Sequence, residues 1–439
     1  MTSPLMLTLA VLAHLLLAAH ALRSGDWGLS AALTALPLLL LTRLGAARLV
    51  SAWALVLGAL FWVDAGLGFV RLRLAFGQDW LRLALILGAV TLASLGSGLW
   101  LLGRRAQGLF QRGRAVAVPQ AAAFALAAGL LALARAKASV PLLLADRFLP
   151  GSGWLEILAL ALYAAWLAGA FADPARHRRL RPMVWALFSA LFFGQLLLGL
   201  LGLEDFLMTG RLHLPVPALI AAGPVFRGGG LFMAILFSST VLLVGPAWCS
   251  HLCYIGAWDD QCSRLGPKQP RPVPAAWTLW GRLTALALTC GGALALRLLG
   301  VDGLTAVWLA AAFGLLGVGV MLTVSRRLGV MAHCTVFCPI GLIGNVLGRL
   351  IPWRVRINQA LCTRCGSCAR ACRYSALSAQ DIEAGAPALP CTLCGDCIGA
   401  CPHEAMHYRF PGLSPATARA VFLTLIAALS AVFLGVARI

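Results

Sequence analysis

Residues 362–401 read Cys362-Thr-Arg-Cys365-Gly-Ser-Cys368-Ala-Arg-Ala-Cys372, then, after a link over 373–390, Cys391-Thr-Leu-Cys394-Gly-Asp-Cys397-Ile-Gly-Ala-Cys401-Pro402. Eight of the fourteen cysteines of the 439-residue chain fall in these two copies of one spacing. Three thiolates two residues apart lie on one tight loop and can cap three corners of a compact inorganic core. A fourth ligand must come from farther away.

The spacing C-x2-C-x2-C-x3-C-P is that of bacterial [4Fe-4S] ligation, in which the fourth cysteine of each run serves the other cluster. Two [4Fe-4S] clusters follow: one on Cys362, Cys365, Cys368 and Cys401, the other on Cys391, Cys394, Cys397 and Cys372. Zinc is the alternative occupant of C-x2-C pairs, but this doubled order lacks the long loop between zinc pairs. The first run departs from the pattern in one place, with Arg373 where proline is usual.

Outside this stretch the composition sets the class. Hydrophobic residues make up 61% of the chain and charged residues 11%, far from the roughly one quarter charged of soluble domains. The expected fold is mainly α: a polytopic transmembrane helix bundle carrying an inserted bacterial-type 2[4Fe-4S] ferredoxin-like domain. Spans of roughly 20 apolar residues are expected near 5–22, 27–42, 47–70, 80–102, 119–134, 153–172, 182–203, 230–248, 277–299, 304–325 and 416–436, eleven in all. The domains expected are 1–150, a transmembrane region of unassigned role; 151–350, a transmembrane electron-transfer core; 351–411, the ferredoxin-like domain; and 412–439, a C-terminal span. Ala19-His20-Ala21 resembles a signal cleavage site, but no positive side chain precedes the apolar run, which is read as the first helix.

The net charge of +20 comes from 35 Lys and Arg residues, all but two of them Arg. They are scattered between apolar segments, the distribution of cytoplasmic membrane loops, so nucleic acid is excluded as a partner and membrane lipid is expected. Arg104, Arg105, Arg112 and Arg114, then Arg176, Arg178, Arg179 and Arg181, mark two cytoplasmic loops. The segment 204–229, with Glu204, Asp205, Arg211 and Arg227, falls outside; Arg264, Lys268, Arg271, Arg326 and Arg327 fall inside. This puts the protein in a bacterial inner membrane with the N-terminus and the cluster domain in the cytoplasm and the C-terminus, past Arg438, outside. The reducing side also suits thiolate ligands.

Two further pairs land on that side. Cys249-Ser-His-Leu-Cys253 and Cys334-Thr-Val-Phe-Cys338-Pro339 are each C-x3-C, a spacing that faces two sulfurs the same way on a helical turn. Four thiolates from two helix ends form a candidate third metal centre, most simply [2Fe-2S], with buried small hydrophobes as the alternative reading. His251 and His333 are alternative ligands, Cys290 is core, and Cys262 is left unassigned. His14 is expected to bond a neighbouring helix and Asp64 to sit near a helix end. The stretch 341–354 reads as an interfacial helix with Trp353 and Arg354 at headgroup level.

Helices followed by C-x3-C, a second C-x3-C-P with glycine-spaced residues Gly341, Gly344 and Gly348, and then a double ferredoxin run resemble the NapH/NosR-type membrane polyferredoxins, with CcoG-type relatives. The resemblance covers roughly 230–410. Tyr254 stands where proline often follows the first pair, and the chain has no soluble stretch for the outer flavin domain of NosR-type members. The resemblance implies electron relay between the quinone pool or a cytoplasmic donor and a partner redox protein, with quinol and a separate flavoprotein or reductase as candidate partners. It implies a redox component rather than a stand-alone catalyst; no residue is assigned a catalytic role. The alternatives are a CcoG-type metal-reducing oxidase assembly factor and a redox-sensing membrane regulator.

Overall fold

The computed structural model describes residues 2–207 and 214–436; Arg211 and Arg438, used above for topology, lie outside the described residues. In chain order the helices used below are α1 (Thr2–Arg23), α2 (Trp27–Ala35), α3 (Gly45–Ala75), α4 (Leu81–Leu102), α5 (Ala117–Lys137), α6 (Gly153–Phe171), α7 (Pro174–Leu200), α8 (Phe232–Val244), α9 (Tyr254–Arg264), α10 (Ala275–Leu298), α11 (Gly303–Val320), α12 (Pro339–Leu347), α13 (Ser367–Ala371), α14 (Ala379–Glu383), α15 (Asp396–Ala400) and α16 (Pro415–Val436). Two strands, β1 (Arg354–Ile357) and β2 (Met406–Arg409), pair antiparallel with Arg354 opposite Arg409 and Ile357 opposite Met406. Ten helical segments among the described residues are long and apolar enough to cross a membrane. Contacts divide the chain into two compact units, Met1–Gly169 and Ala170–Ile439.

In the first unit the expected span at 27–42 is not one α-helix. It is α2 followed by a 3₁₀ helix, Leu36–Thr42, entered through Pro37, because proline lacks the N–H that would continue the α ladder. The segment still reaches as far as a full helix. At one end Trp27 Nε1 donates to the Pro150 carbonyl (3.1 Å) and Trp154 Nε1 to Asp26 Oδ2 (2.7 Å). At the other, Gly45 N donates to the Arg112 carbonyl (2.9 Å). α5 runs between the same two levels, starting just after Arg112 and ending where Arg135 pairs with Asp146 at 2.6 Å. Nine residues at about 1.5 Å and seven at about 2.0 Å give roughly 27 Å, close to the hydrocarbon thickness of about 30 Å. Among the described residues, ten of the eleven expected spans are thus helical segments long and apolar enough to cross a membrane, and 27–42 is a shorter, broken one.

Two polar positions differ from expectation. His14 is fully buried, but its Nδ1 is 2.8 Å from the Ala10 carbonyl of its own helix rather than bonded to a neighbour. Asp64 is exposed well inside α3, because that helix continues to Ala75.

In the second unit α16 is the most enclosed span, 61% of its apolar window being buried. It passes beneath the cluster segment: Phe422 packs against Trp353 (5.2 Å) and Tyr408 (4.5 Å), and Arg419 Nη2 donates to the Phe171 carbonyl (2.9 Å). Trp353 is therefore core rather than a headgroup anchor, with its Nε1 donating to the Leu243 carbonyl at 3.0 Å. Arg354 turns back onto the carbonyls of Gly348 (3.0 Å) and Arg349 (2.7 Å), satisfying groups left open at the end of the preceding helix. α12 is likewise largely buried, not interfacial, with Ile340, Leu342 and Asn345 enclosed.

Candidate iron–sulfur centres

The two cysteine runs fold as copies of one loop. Three residues with positive φ in the first, Arg364 (56°), Gly366 (72°) and Ser375 (51°), recur 29 positions on as Leu393 (56°), Gly395 (80°) and Glu404 (51°). α13 and α15 follow the same shift. Left-handed backbone at a bulky residue such as Leu393 is strained and survives only where its surroundings impose it. Here it curls three cysteines around one point. At Gly395 a side chain is excluded twice over: φ is +80°, and a Cβ would lie 2.5 Å from Tyr408 Oη.

The curled loops line two hollows. One is lined by Cys362, Cys365, Cys368 and Cys401. The other is lined by Cys372, Cys391, Cys394 and Cys397. The fourth cysteine of each run thus faces the cavity of the other. The two differ in exposure. Cys365 is open to solvent, and its hydrogen bond with Ser367 holds the thiol below its usual range. Burial pushes Cys372, Cys391 and Cys394 up to about 12, so as free thiols they would be neutral, and a thiolate there requires a compensating metal. Four sulfur donors per cavity are the set a [4Fe-4S] cluster takes.

The C-x3-C pairs are built alike. Cys249 lies in a single turn, Trp248–His251, and Cys253 is the N-cap of α9 with φ −77° and ψ 113°. Cys334 lies in a π turn, His333–Phe337, and Cys338 is the N-cap of α12 with φ −78° and ψ 114°. Each pair therefore straddles a chain break rather than riding one helical turn. The first of these N-caps accepts from the helix that follows it, Gly256 N lying 3.4 Å from Cys253 Sγ. The four cysteines are within electrostatic reach of one another, Cys334 interacting with Cys338, Cys253 and Cys249. Among the described residues no three His, Cys, Asp or Glu side chains close on a single ion. The histidines turn elsewhere: His251 stacks on His177 (5.9 Å), and His333 packs on Phe337 (5.4 Å). Cys290 lies within α10 and Cys262 within α9, away from both runs.

Several residues that sequence reading passed over join these sites. Arg181, read above only as loop charge, is 1% exposed and donates to Asp396 (Nη2–Oδ2 2.8 Å), Asp260 (3.1 Å) and the Ser250 carbonyl (3.0 Å). Arg264 adds Asp260 (2.6 Å) and Asp396 (3.2 Å). Two arginines and two aspartates thus form a charge-balanced network that ties α7 and α9 to Asp396 of the second cysteine run, buried except at the partly exposed Arg264. Arg264 and Arg181 hold the Asp260 carboxyl below the usual carboxylate range against the opposing effect of burial. Arg373 donates to the Ser263 (3.2 Å) and Gly329 carbonyls, so the residue replacing proline is a tether. The Cys372/Cys391 cavity abuts the C-x3-C pairs: Tyr374, which lines it, donates to the Cys249 carbonyl (3.4 Å), Ser250 Oγ to the Thr392 carbonyl (3.0 Å), and Asn345 Nδ2 to the Cys391 carbonyl (3.1 Å).

Comparison with known families agrees with this geometry. Residues 226–272 and 310–358, one C-x3-C pair in each, match a family model described as a 4Fe-4S binding domain. Residues 355–378, with the first ferredoxin run, match a second model of the same description. No curated protein and no solved structure matches the chain. The helices, the matched segments and the clustered cysteines define a polytopic iron–sulfur membrane protein whose C-terminal region binds [4Fe-4S] clusters.

Proposed function

We propose that this chain is a membrane-bound electron conduit of the NapH/NosR type, working between a quinol or cytoplasmic donor and a partner redox protein. In this reading Cys362, Cys365, Cys368 and Cys401 hold one [4Fe-4S] cluster, and Cys391, Cys394, Cys397 and Cys372 a second. Cys249, Cys253, Cys334 and Cys338 hold a third, of four irons rather than the two expected from ligand number alone, in keeping with the description of the matched domains. The carrying observation is the division of eight cysteines, in crossed order, between two cavities, the more buried of which borders the C-x3-C pairs. When bound, the clusters supply one-electron carriers.

The protein's own residues set the order. The Cys365 side opens to solvent and is the port for a soluble partner. Tyr374 and Asn345 fill the space between the second site and the C-x3-C pairs, keep water out, and fix the spacing through their hydrogen bonds. The Arg181 network holds the cluster segment on the helices. The cluster side faces the cytoplasm of a bacterial inner membrane, as the arginine-rich loops favour.

The test is composition and reducibility. Purified protein should carry about twelve irons and as much labile sulfide, as three four-iron clusters require, and should be reduced by a quinol or a low-potential soluble donor. Stoichiometric zinc with no labile sulfide would end this reading.

A further inference from the structure

Arg282 lies in the second turn of α10, within a membrane-spanning segment, and only 1% of it is exposed. Its Nε donates to the Thr278 carbonyl (2.6 Å) and its Nη1 to Asn345 Oδ1 (2.7 Å). Nη2 is buried and has no hydrogen-bond partner. Among the described residues no carboxylate pairs with it; the nearby Asp259 carboxyl instead accepts from Cys334 N (2.9 Å). A guanidinium cannot shed its proton, and burying one without a counter-charge is severely unfavourable at this depth. Among the described residues the groups that act on its charge are the sulfurs of Cys338, Cys249 and Cys334, and Gly341 sits against both the Cys334 carbonyl and Arg282 Nη1, where a Cβ would lie 2.9 Å and 3.9 Å from them. With neutral thiols at those positions the charge would be uncompensated. With four thiolates around an iron–sulfur core the site is net anionic, and the unpartnered Nη2 gains its counter-charge.

We infer that Arg282 is the fixed cation of the C-x3-C centre, balancing its negative charge and raising its reduction potential above that of the same centre without it. This rests on the third site proposed above and adds what controls it. Each electron accepted there adds negative charge, which a buried cation favours by an amount that grows as the surroundings become less polar. Asn345 orients the guanidinium with its side-chain oxygen while its nitrogen holds the Cys391 carbonyl, so one side chain spaces the second site from this cation. Arg282 is thus a positioning and tuning residue, not a ligand.

The test is a redox titration followed by electron paramagnetic resonance, with iron counted, on the full chain in detergent or nanodiscs. Arg282→Gln should shift the third centre's midpoint to more negative potential, or drop iron from about twelve to about eight per chain. Arg282→Lys should recover most of either loss because it keeps the charge. The signals of the two ferredoxin-type centres should stay unchanged in both variants and so report folding. A third centre with the wild-type midpoint and full iron in Arg282→Gln, or equal damage from Gln and Lys, would overturn the role of Arg282 while leaving the centre itself in place. Wild-type protein with about eight irons and only two centres would instead remove the third site, and this inference with it.

Discussion

Cys372 is the residue on which the crossed arrangement turns. It stands at the end of the first run yet lines the cavity of the second, with its sulfur accepting from Ala376 N at 3.4 Å. Cys372→Ser should therefore abolish the signal of the centre formed by Cys391, Cys394 and Cys397 and leave that of Cys362, Cys365 and Cys368. Loss of the opposite signal in low-temperature spectra would show that each run closes on itself. The cysteines were legible in sequence because ligand spacing within a run is local, set by a few dihedrals. Arg181, Arg282 and Asp396 were not. Arg181 meets Asp396 across 215 residues and Arg282 meets Asn345 across 63, and a lone arginine in a hydrophobic stretch reads the same whether it faces a headgroup or a buried anion. Arg373 was noticed only as a departure from proline, since its partners on the loops at Ser263 and Gly329 belong to the tertiary fold.

Among the elements, α15 carries the most consequence for its length. It is entered through Gly395, which must stay left-handed, and contains Gly399, where a Cβ would collide with the Pro174 carbonyl at the start of α7. Its first residue, Asp396, anchors the buried ionic network. Removing one member of such a network leaves a buried charge unpaired, at about 3–5 kcal/mol. Arg181→Leu should loosen the cluster segment by that order, seen as earlier loss of cluster absorbance on heating and faster proteolysis within 351–411. Unchanged melting would mean that the apolar contacts of Trp353, Tyr408 and Phe422 suffice to hold it. Exposure also orders the centres. Cys365 is open to solvent while Cys397 is buried, so a chelator under mild oxidation should strip the first ferredoxin-type cluster before the second, followed by two separable decays in the spectrum. The periodicity of apolar residues revealed the long helices well. It misjudged 27–42 and 341–354, where Pro37 and the buried face of α12 decide the structure and hydropathy alone does not.

For the whole molecule, the count of crossings determines on which side every loop lies, and the broken segment at 27–42 is the point at which that count is most open to test. Ten long helices alone would return the C-terminus to the side on which α1 begins. The 3₁₀ stretch, by rising faster per residue than an α-helix, lets sixteen residues join the Pro150 level to the Arg112 level, which would make the crossings eleven. With the arginine-rich loops inside, the turn between α3 and α4, at Gln78, is then expected on the outer side and Gly385 on the cytoplasmic side. If 27–42 merely lay along the surface, Gln78 would move to the cytoplasm, placing Arg104, Arg105, Arg112 and Arg114 outside against the strong bias of short arginine-rich loops. A compartment-sensitive reporter is expected to read outside at Gly25 and at Gln78, and inside at Gly385. Opposite readings at Gly25 and Gln78 would show that the segment does not cross, since α3 alone would then separate them. An outer reading at Gly385 would put the cluster domain on the oxidising face, where eight cluster cysteines would be exposed to disulfide formation.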